Sequence, residues 1–215
     1  MIPIGDENPS RIFPVINWVI IFSCIGVFIW QTSGNAQFFR YTINKYGILP
    51  AHIFSGQQIY SLGTSMFLHG GIVHLLGNML FLWIFGDNIE DKLGHIKYLG
   101  FYLISGILAS LIWIIAARGS SQPVGASGAI SAVMAAYLIM YPSAKIRTLV
   151  TLGLFIWPLK VPAYVMIGLW IALQVAMSLI NPNTEIAYLA HIGGFFVGYI
   201  LANFMTPKKE SRSQE

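Results

Sequence analysis

PVGASGAISAVMAAYLIMYP, from Pro123 to Pro142, is an uncharged run bounded by two prolines. Its interior, Ala126–Tyr141, is about 16 residues long, and Gly128, Ala132 and Ala136 recur at every fourth position. Fourfold spacing puts these three on one helix face, where small side chains admit a second backbone at close range. At 1.5 Å per residue such a helix reaches roughly 24 Å, short of the ~30 Å hydrocarbon core of a bilayer. With Tyr141, Lys145 and Arg147 holding one end at an interface, Ser127 at the other end is expected several ångströms below the opposite surface. The irregular stretch Gly119–Gly125 would then lie at membrane depth, which is tolerated where protein covers it or where it lines a wet cavity.

Five further runs flank this one: Phe13–Trp30, Ser65–Phe85 and Tyr98–Ala117 before it, Val161–Leu179 and Ile186–Phe204 after it. Most approach the ~20 residues a helix needs to cross a bilayer, so the expected architecture is all-α, a polytopic bundle of six transmembrane helices. Composition agrees: 56% of the 215 residues are hydrophobic and 9% are charged, where a soluble domain carries about 25% charged residues. Thr148–Trp157 is apolar but too short to span, and is expected at the interface or packed on the bundle. About 34 residues connect the first two spans, rich in aromatics such as Phe38, Tyr41, Tyr46 and Tyr60, and read as a long interfacial first loop. The chain thus divides into a short N-terminal segment (1–12), a membrane domain (13–205) and a disordered polar tail (206–215).

Of the 12 Lys and Arg residues, nine fall on the side of the termini and only Arg40, Lys45 and Arg118 on the other. The positive-inside bias puts both termini in the cytoplasm of a cell membrane. The net charge of +4 is spread between apolar runs, which describes topology rather than a groove for nucleic acid. MIPIGDENPSRIF carries acidic residues ahead of the first run and reads as no signal peptide. A single cysteine, Cys24, excludes a disulfide framework.

In six spans, the second, fourth and sixth begin on the outer side, and each brings polar residues there. Ser127 opens the fourth, His191 lies about five residues into the sixth, and His74 and Asn78 lie in the outer half of the second. A histidine can activate a serine without a third residue, and no acid lies within the spans, so the arrangement would be a dyad. Ser127 also suits a plain helix crossing, and Asn78 an interhelical hydrogen bond. On the sixth span Ala190, Gly194 and Gly198 form a small-residue face beside His191, which would let the two helices meet. His74 and Asn78, four apart, share a face, and with the backbone N–H groups of Ser127 and Gly128 could serve a developing oxyanion. His69 and His74, five apart, do not stack on one helix face; His69, His52 and His95 are assigned structural roles. There is no HExxH zinc motif, no aspartate pair within the spans and no need of a metal or cofactor. A transporter is disfavoured by the lack of buried carboxylates and of a repeat.

Four pieces, TSMFLHGGIVHLLGNM (Thr64–Met79), Glu90 and Gly94 in EDKLG, GASGA (Gly125–Ala129) and AHIGGFFVG (Ala190–Gly198), occur in this order. Together they make the chain resemble the rhomboid intramembrane serine proteases of the minimal six-span prokaryotic type, over about Ser65 to Gly198. The resemblance implies Ser127 as nucleophile, His191 as general base and acid, and Asn78 with His74 as oxyanion donors. His69 matches a histidine of the same motif, and Gly125 and Gly194 belong to the matching pieces. The partners implied are transmembrane segments of other proteins, cleaved in the lipid bilayer without a cofactor. Two positions depart from the pattern: Ser131 replaces an aromatic against which the base histidine stacks, and Tyr60-Ser61 replaces a Trp-Arg pair that anchors the first loop. An inactive relative that binds or escorts membrane proteins is the alternative on the same fold.

Overall fold

The computed structural model describes residues 1–116, 122–152, 155–181 and 187–206. Most of the expected tail and part of the stretch Gly119–Gly125 (119–121) lie outside the described residues. Among the described residues, five helices are long and apolar enough to cross a membrane: α1 (Val15–Thr32), α5 (Ile72–Leu93), α6 (His95–Ala116), α8 (Ala163–Ile180) and α9 (Tyr188–Met205). The sixth is the short α7, Ser127–Met140, whose 14 residues rise only about 21 Å. Three short helices fill the long first connection: α2 (Ala36–Tyr46), α3 (Pro50–Phe54) and α4 (Ser61–Thr64). The chain is a multi-pass membrane protein, with Leu169, Leu173 and Leu179 of α8 among the apolar side chains left on the outside of the bundle.

Helix α7 is the centre of the bundle. Every residue from Ala129 to Tyr137 is buried, and α5, α6, α8 and α9 pack around it. Its small side chains set the closest crossing. Gly194 of α9 lies against the Gly128 carbonyl, Gly198 lies against Ala132, and a methyl group on either glycine would overlap that backbone. The small-residue faces expected on these two helices therefore meet each other.

Helix α5 begins at Ile72, seven residues later than the apolar run suggested. Ser65–Phe67 form a 3-10 turn, and the following peptide is held by α1: Gln31 Oε1 accepts from the His69 N–H at 3.0 Å, and Gln31 Nε2 donates to the His69 carbonyl at 3.4 Å. At its other end α5 runs on to Leu93, and Gly94, with φ +77°, turns the chain into α6. Glu90 is fully buried there. Its two carboxylate oxygens accept from the Ile16 and Asn17 N–H groups at 2.9 and 2.7 Å, and one also meets His95 Nδ1. The start of α1, which has no side-chain cap of its own, is thereby capped from α5.

The expectation of helices alone is extended by a small sheet. Strands β1 (Ile2–Asp6), β2 (Lys145–Leu152) and β3 (Phe155–Pro162) pair antiparallel in the order β1-β2-β3, with Asp6 opposite Ile146 and Lys145 opposite Pro162. The segment Thr148–Trp157, expected at the interface or on the bundle, belongs to this hairpin, and its residues 153–154 lie outside the described ones. Pro3, Ile146, Thr148 and Val161 are buried beneath the sheet. Pro158 is tolerated because β3 is an edge strand. Asp6 fastens β1 to the helices, accepting from the Tyr137 hydroxyl and from Asn88 Nδ2. Burial pushes the Asp6 carboxyl above the ordinary carboxylate value, against the opposing pull of these hydrogen bonds.

Candidate active site

Ser127 is the first residue of α7, and Ala126 before it offers no side-chain cap. The first N–H groups of such a helix have no intrahelical acceptor and point out of its end. His191 is the fourth residue of α9, one turn before Gly194. The close crossing of α7 and α9 brings the two side chains together, with His191 Nε2 2.9 Å from Ser127 Oγ. That is a hydrogen-bonded serine–histidine pair at the distance a proton transfer between them would need.

Gly125 precedes them with φ +122°, a backbone conformation that disfavours any side chain, and its N–H donates to the Ser65 carbonyl at 2.8 Å. A methyl group there would come within 2.8 Å of the His74 ring and 3.3 Å of Asn78 Nδ2. His74 and Asn78 therefore converge on the backbone two residues before Ser127. Asn78 is buried, and its Nδ2 has no hydrogen-bond partner among the described residues. Leaving such a donor unpaired costs about 1–3 kcal/mol, which an incoming oxyanion would recover. His74, Asn78, Ser127, Trp170, Gln174 and His191 all line one cavity of about 260 Å³, walled on its apolar side by Phe81, Ile130 and Met134.

The remaining candidates separate by role. Gly128 and Gly194 form the backbone contact that sets the crossing. His69 is fully buried behind His74, the two rings 5.2 Å apart, and it does not contact Ser127. The two histidines meet because His69 precedes α5 rather than lying within it. Ser131 donates its Oγ to the Ser127 carbonyl at 2.6 Å and offers no face to His191. The aromatic neighbours come from elsewhere: the Trp170 ring of α8 lies 6.0 Å from the His191 ring, tilted at 33°, and Tyr188 meets it edge-on at 6.4 Å. In the first loop, Tyr60 donates its hydroxyl to the Lys45 carbonyl at 3.0 Å and packs 6.3 Å from Tyr46, which ties the loop to α2.

Gln174 was missed by the sequence reading. Its Oε1 lies 2.8 Å from His191 Nδ1, on the side of the ring away from Ser127. The signal was present: Gln174 is the one amide in the run Val161–Leu179, and a polar side chain in hydrocarbon needs a partner. Among the described residues no group of three His, Cys, Asp or Glu side chains forms a metal cluster.

Residues 56–208 match the family model described as the Rhomboid domain. The chain is 28% identical over 210 residues to "Putative rhomboid protease YdcA" of Bacillus subtilis, covering 94% of both chains. It is 32% identical over 175 residues to "RHOMBOID-like protein 6, mitochondrial" of Arabidopsis thaliana, covering 81% of this chain and 53% of that one. It is 27% identical over 212 residues to "Rhomboid protein 1, mitochondrial" of Saccharomyces cerevisiae, covering 91% of this chain and 56% of that one. The chain thus spans nearly all of the bacterial relative and about half of the plant and yeast ones.

Proposed function

The chain belongs to the rhomboid family, and from that membership we propose that it is a serine endopeptidase that hydrolyses peptide bonds in or near transmembrane segments of other membrane proteins. The observation that carries the reading is the 2.9 Å contact between Ser127 Oγ and His191 Nε2 at the head of a cavity within the bundle.

In the first half-reaction His191 Nε2 takes the Ser127 proton while Oγ attacks the scissile carbonyl carbon. The oxyanion that forms is held by Asn78 Nδ2, His74 and the N–H groups of Ser127 and Gly128 at the start of α7. The C–N bond then breaks, and the leaving amine takes the proton from His191. The acyl group is now an ester on Ser127. A water molecule gives its proton to His191 and attacks the ester, and that proton returns to Oγ as the acid departs. The Nδ2 of Asn78, without an acceptor among the described residues, fits this scheme as a donor that would be engaged when negative charge develops nearby.

The lysine and arginine distribution supports a sheet end in the cytoplasm and a site opening towards the outer side of a cell membrane. Substrates would be transmembrane segments of other membrane proteins, and no cofactor is required. The test is cleavage of a transmembrane reporter in liposomes by the purified protein. Ser127→Ala is expected to abolish turnover with the fold intact. Residual cleavage by that variant in a clean preparation would remove the assignment, and solute flux without cleavage would favour a transporter.

A further inference from the structure

We infer that Gln174 is a positioning residue for the base: its amide oxygen holds the His191 Nδ1 proton and keeps the Nε2 lone pair turned to Ser127. The inference rests on the protease reading and adds a third member to the pair that reading uses.

Both ring nitrogens of His191 are engaged, Nδ1 by Gln174 Oε1 at 2.8 Å and Nε2 by Ser127 Oγ at 2.9 Å. A neutral imidazole carries one N–H, and an amide oxygen can only accept. With Oε1 facing Nδ1, the proton must sit on Nδ1, so Nε2 is left as the acceptor for the serine hydroxyl. The reverse orientation would present the amide NH2 to Nδ1 and force the proton onto Nε2. Ser127 would then face a donor and could not lose its proton. The same Nδ1–H bond persists when His191 becomes an imidazolium, so the ring keeps its place through both halves of the cycle.

Trp170 and Gln174 are four residues apart on α8 and therefore share one helix face. That face meets the ring twice, with the indole tilted beside it at 6.0 Å and the amide at its rear nitrogen. The aromatic partner that Ser131 cannot supply from α7 thus comes from α8 together with the third polar group. A carboxylate here would bring a charge to a helix bearing Leu169 and Leu173 on its lipid face. The amide gives the same acceptor without that charge. Gln174 therefore does in hydrocarbon what the buried aspartate of a soluble serine protease does in a polar site.

The test compares wild type with Gln174→Met, close in shape but without the amide, and Gln174→Glu, which keeps an acceptor. Two readouts are taken on protein in bicelles: ¹⁵N spectra of His191 and cleavage of the transmembrane reporter. Wild type is expected to show one neutral tautomer, protonated on Nδ1. Gln174→Met is expected to populate both tautomers and to lose roughly 10- to 100-fold in kcat with KM little changed, less than the ~10⁴ that a wrong tautomer costs a soluble triad. Gln174→Glu is expected to retain the Nδ1–H tautomer and to recover most of kcat. A wild-type ring protonated on Nε2, or a Gln174→Met protein with an unchanged tautomer, overturns the inference. A fall in kcat without a tautomer change does so too, because helix-packing glue alone would give that result. The spectra report on Gln174 whether or not cleavage is found, so a failure of the protease reading is seen separately, as a wild type that does not cleave the reporter or as cleavage that persists in Ser127→Ala.

Discussion

Adding one methyl group at Gly194 separates the two helices that carry Ser127 and His191. In Gly194→Ala the new Cβ would lie 2.8 Å from the Gly128 carbonyl carbon and closer still to its oxygen, where ordinary contact begins at 3.4 Å. The neighbour is backbone, one residue after Ser127, so no side chain can rotate to make room. Relief requires α9 to move from α7 by about 1 Å, at a cost of about 1–3 kcal/mol for overpacking. Because the shift falls within one turn of His191, it lengthens the 2.9 Å contact to Ser127 directly. A displacement of this size costs on the order of 10²-fold in turnover. Gly168→Ala on α8 is the control, since none of the described residues lies within 4 Å of its added Cβ and alanine favours the helix. The assay is cleavage of a transmembrane reporter in liposomes, scaled to the folded fraction, beside a thermal melt. Gly194→Ala with turnover within threefold of wild type and an unchanged melt would refute the reasoning that this crossing sets the dyad.

Asn78→Ala is expected to lower kcat by roughly 10²-fold or less, because the helix N–H groups and His74 remain as donors; an unchanged rate would exclude Asn78 from the site. Glu90→Ala is expected to destabilise the fold by about 2–5 kcal/mol, since it orphans the Ile16 and Asn17 N–H groups at the start of α1. A melt like that of wild type would show that water replaces the carboxylate. The raised Asp6 carboxyl makes the folded state bind a proton more tightly than the unfolded chain. The stability linked to it is therefore fully present below the ordinary value of 3.8 and is lost as pH rises through its raised folded value. Melts across that window should lose this slope in Asp6→Asn, and a slope identical to wild type would assign it to another group.

The six-helix bundle was legible because hydrophobic length is a local property, and each run announced its span without reference to the others. The α7–α9 crossing was legible for a related reason: Gly128, Ala132, Gly194 and Gly198 repeat at fourfold spacing, and small faces seek each other. The start of α5 was not, since Ser65–Phe67 continues the apolar run and the segment is held out of the helix by distant partners, Gln31 on the His69 backbone and the Gly125 N–H on the Ser65 carbonyl. The sheet was hidden for the same cause. β1 pairs with β2 across most of the chain length, and neither strand shows an alternation strong enough to predict its partner. Within the site, Ser127, His191, His74 and Asn78 could be named because serine and histidine carry their chemistry in their side chains. Gln174 and Trp170 could not be given roles, because a lone amide and an indole become meaningful only when α8 lies beside α9. The departure at Ser131 was seen, but its replacement from a different helix could not be read from spacing along one helix.

The most direct measurement of the central claim, a serine activated by a histidine within the bundle, is labelling with a fluorophosphonate probe, which needs no knowledge of the substrate. Purified wild type, Ser127→Ala and His191→Ala would be treated in liposomes, with a known serine hydrolase labelled in parallel. The account predicts a labelled wild type with the adduct on Ser127, and no labelling in either variant. Labelling that survives in Ser127→Ala, or a wild type left unlabelled while it cleaves the reporter, would contradict it.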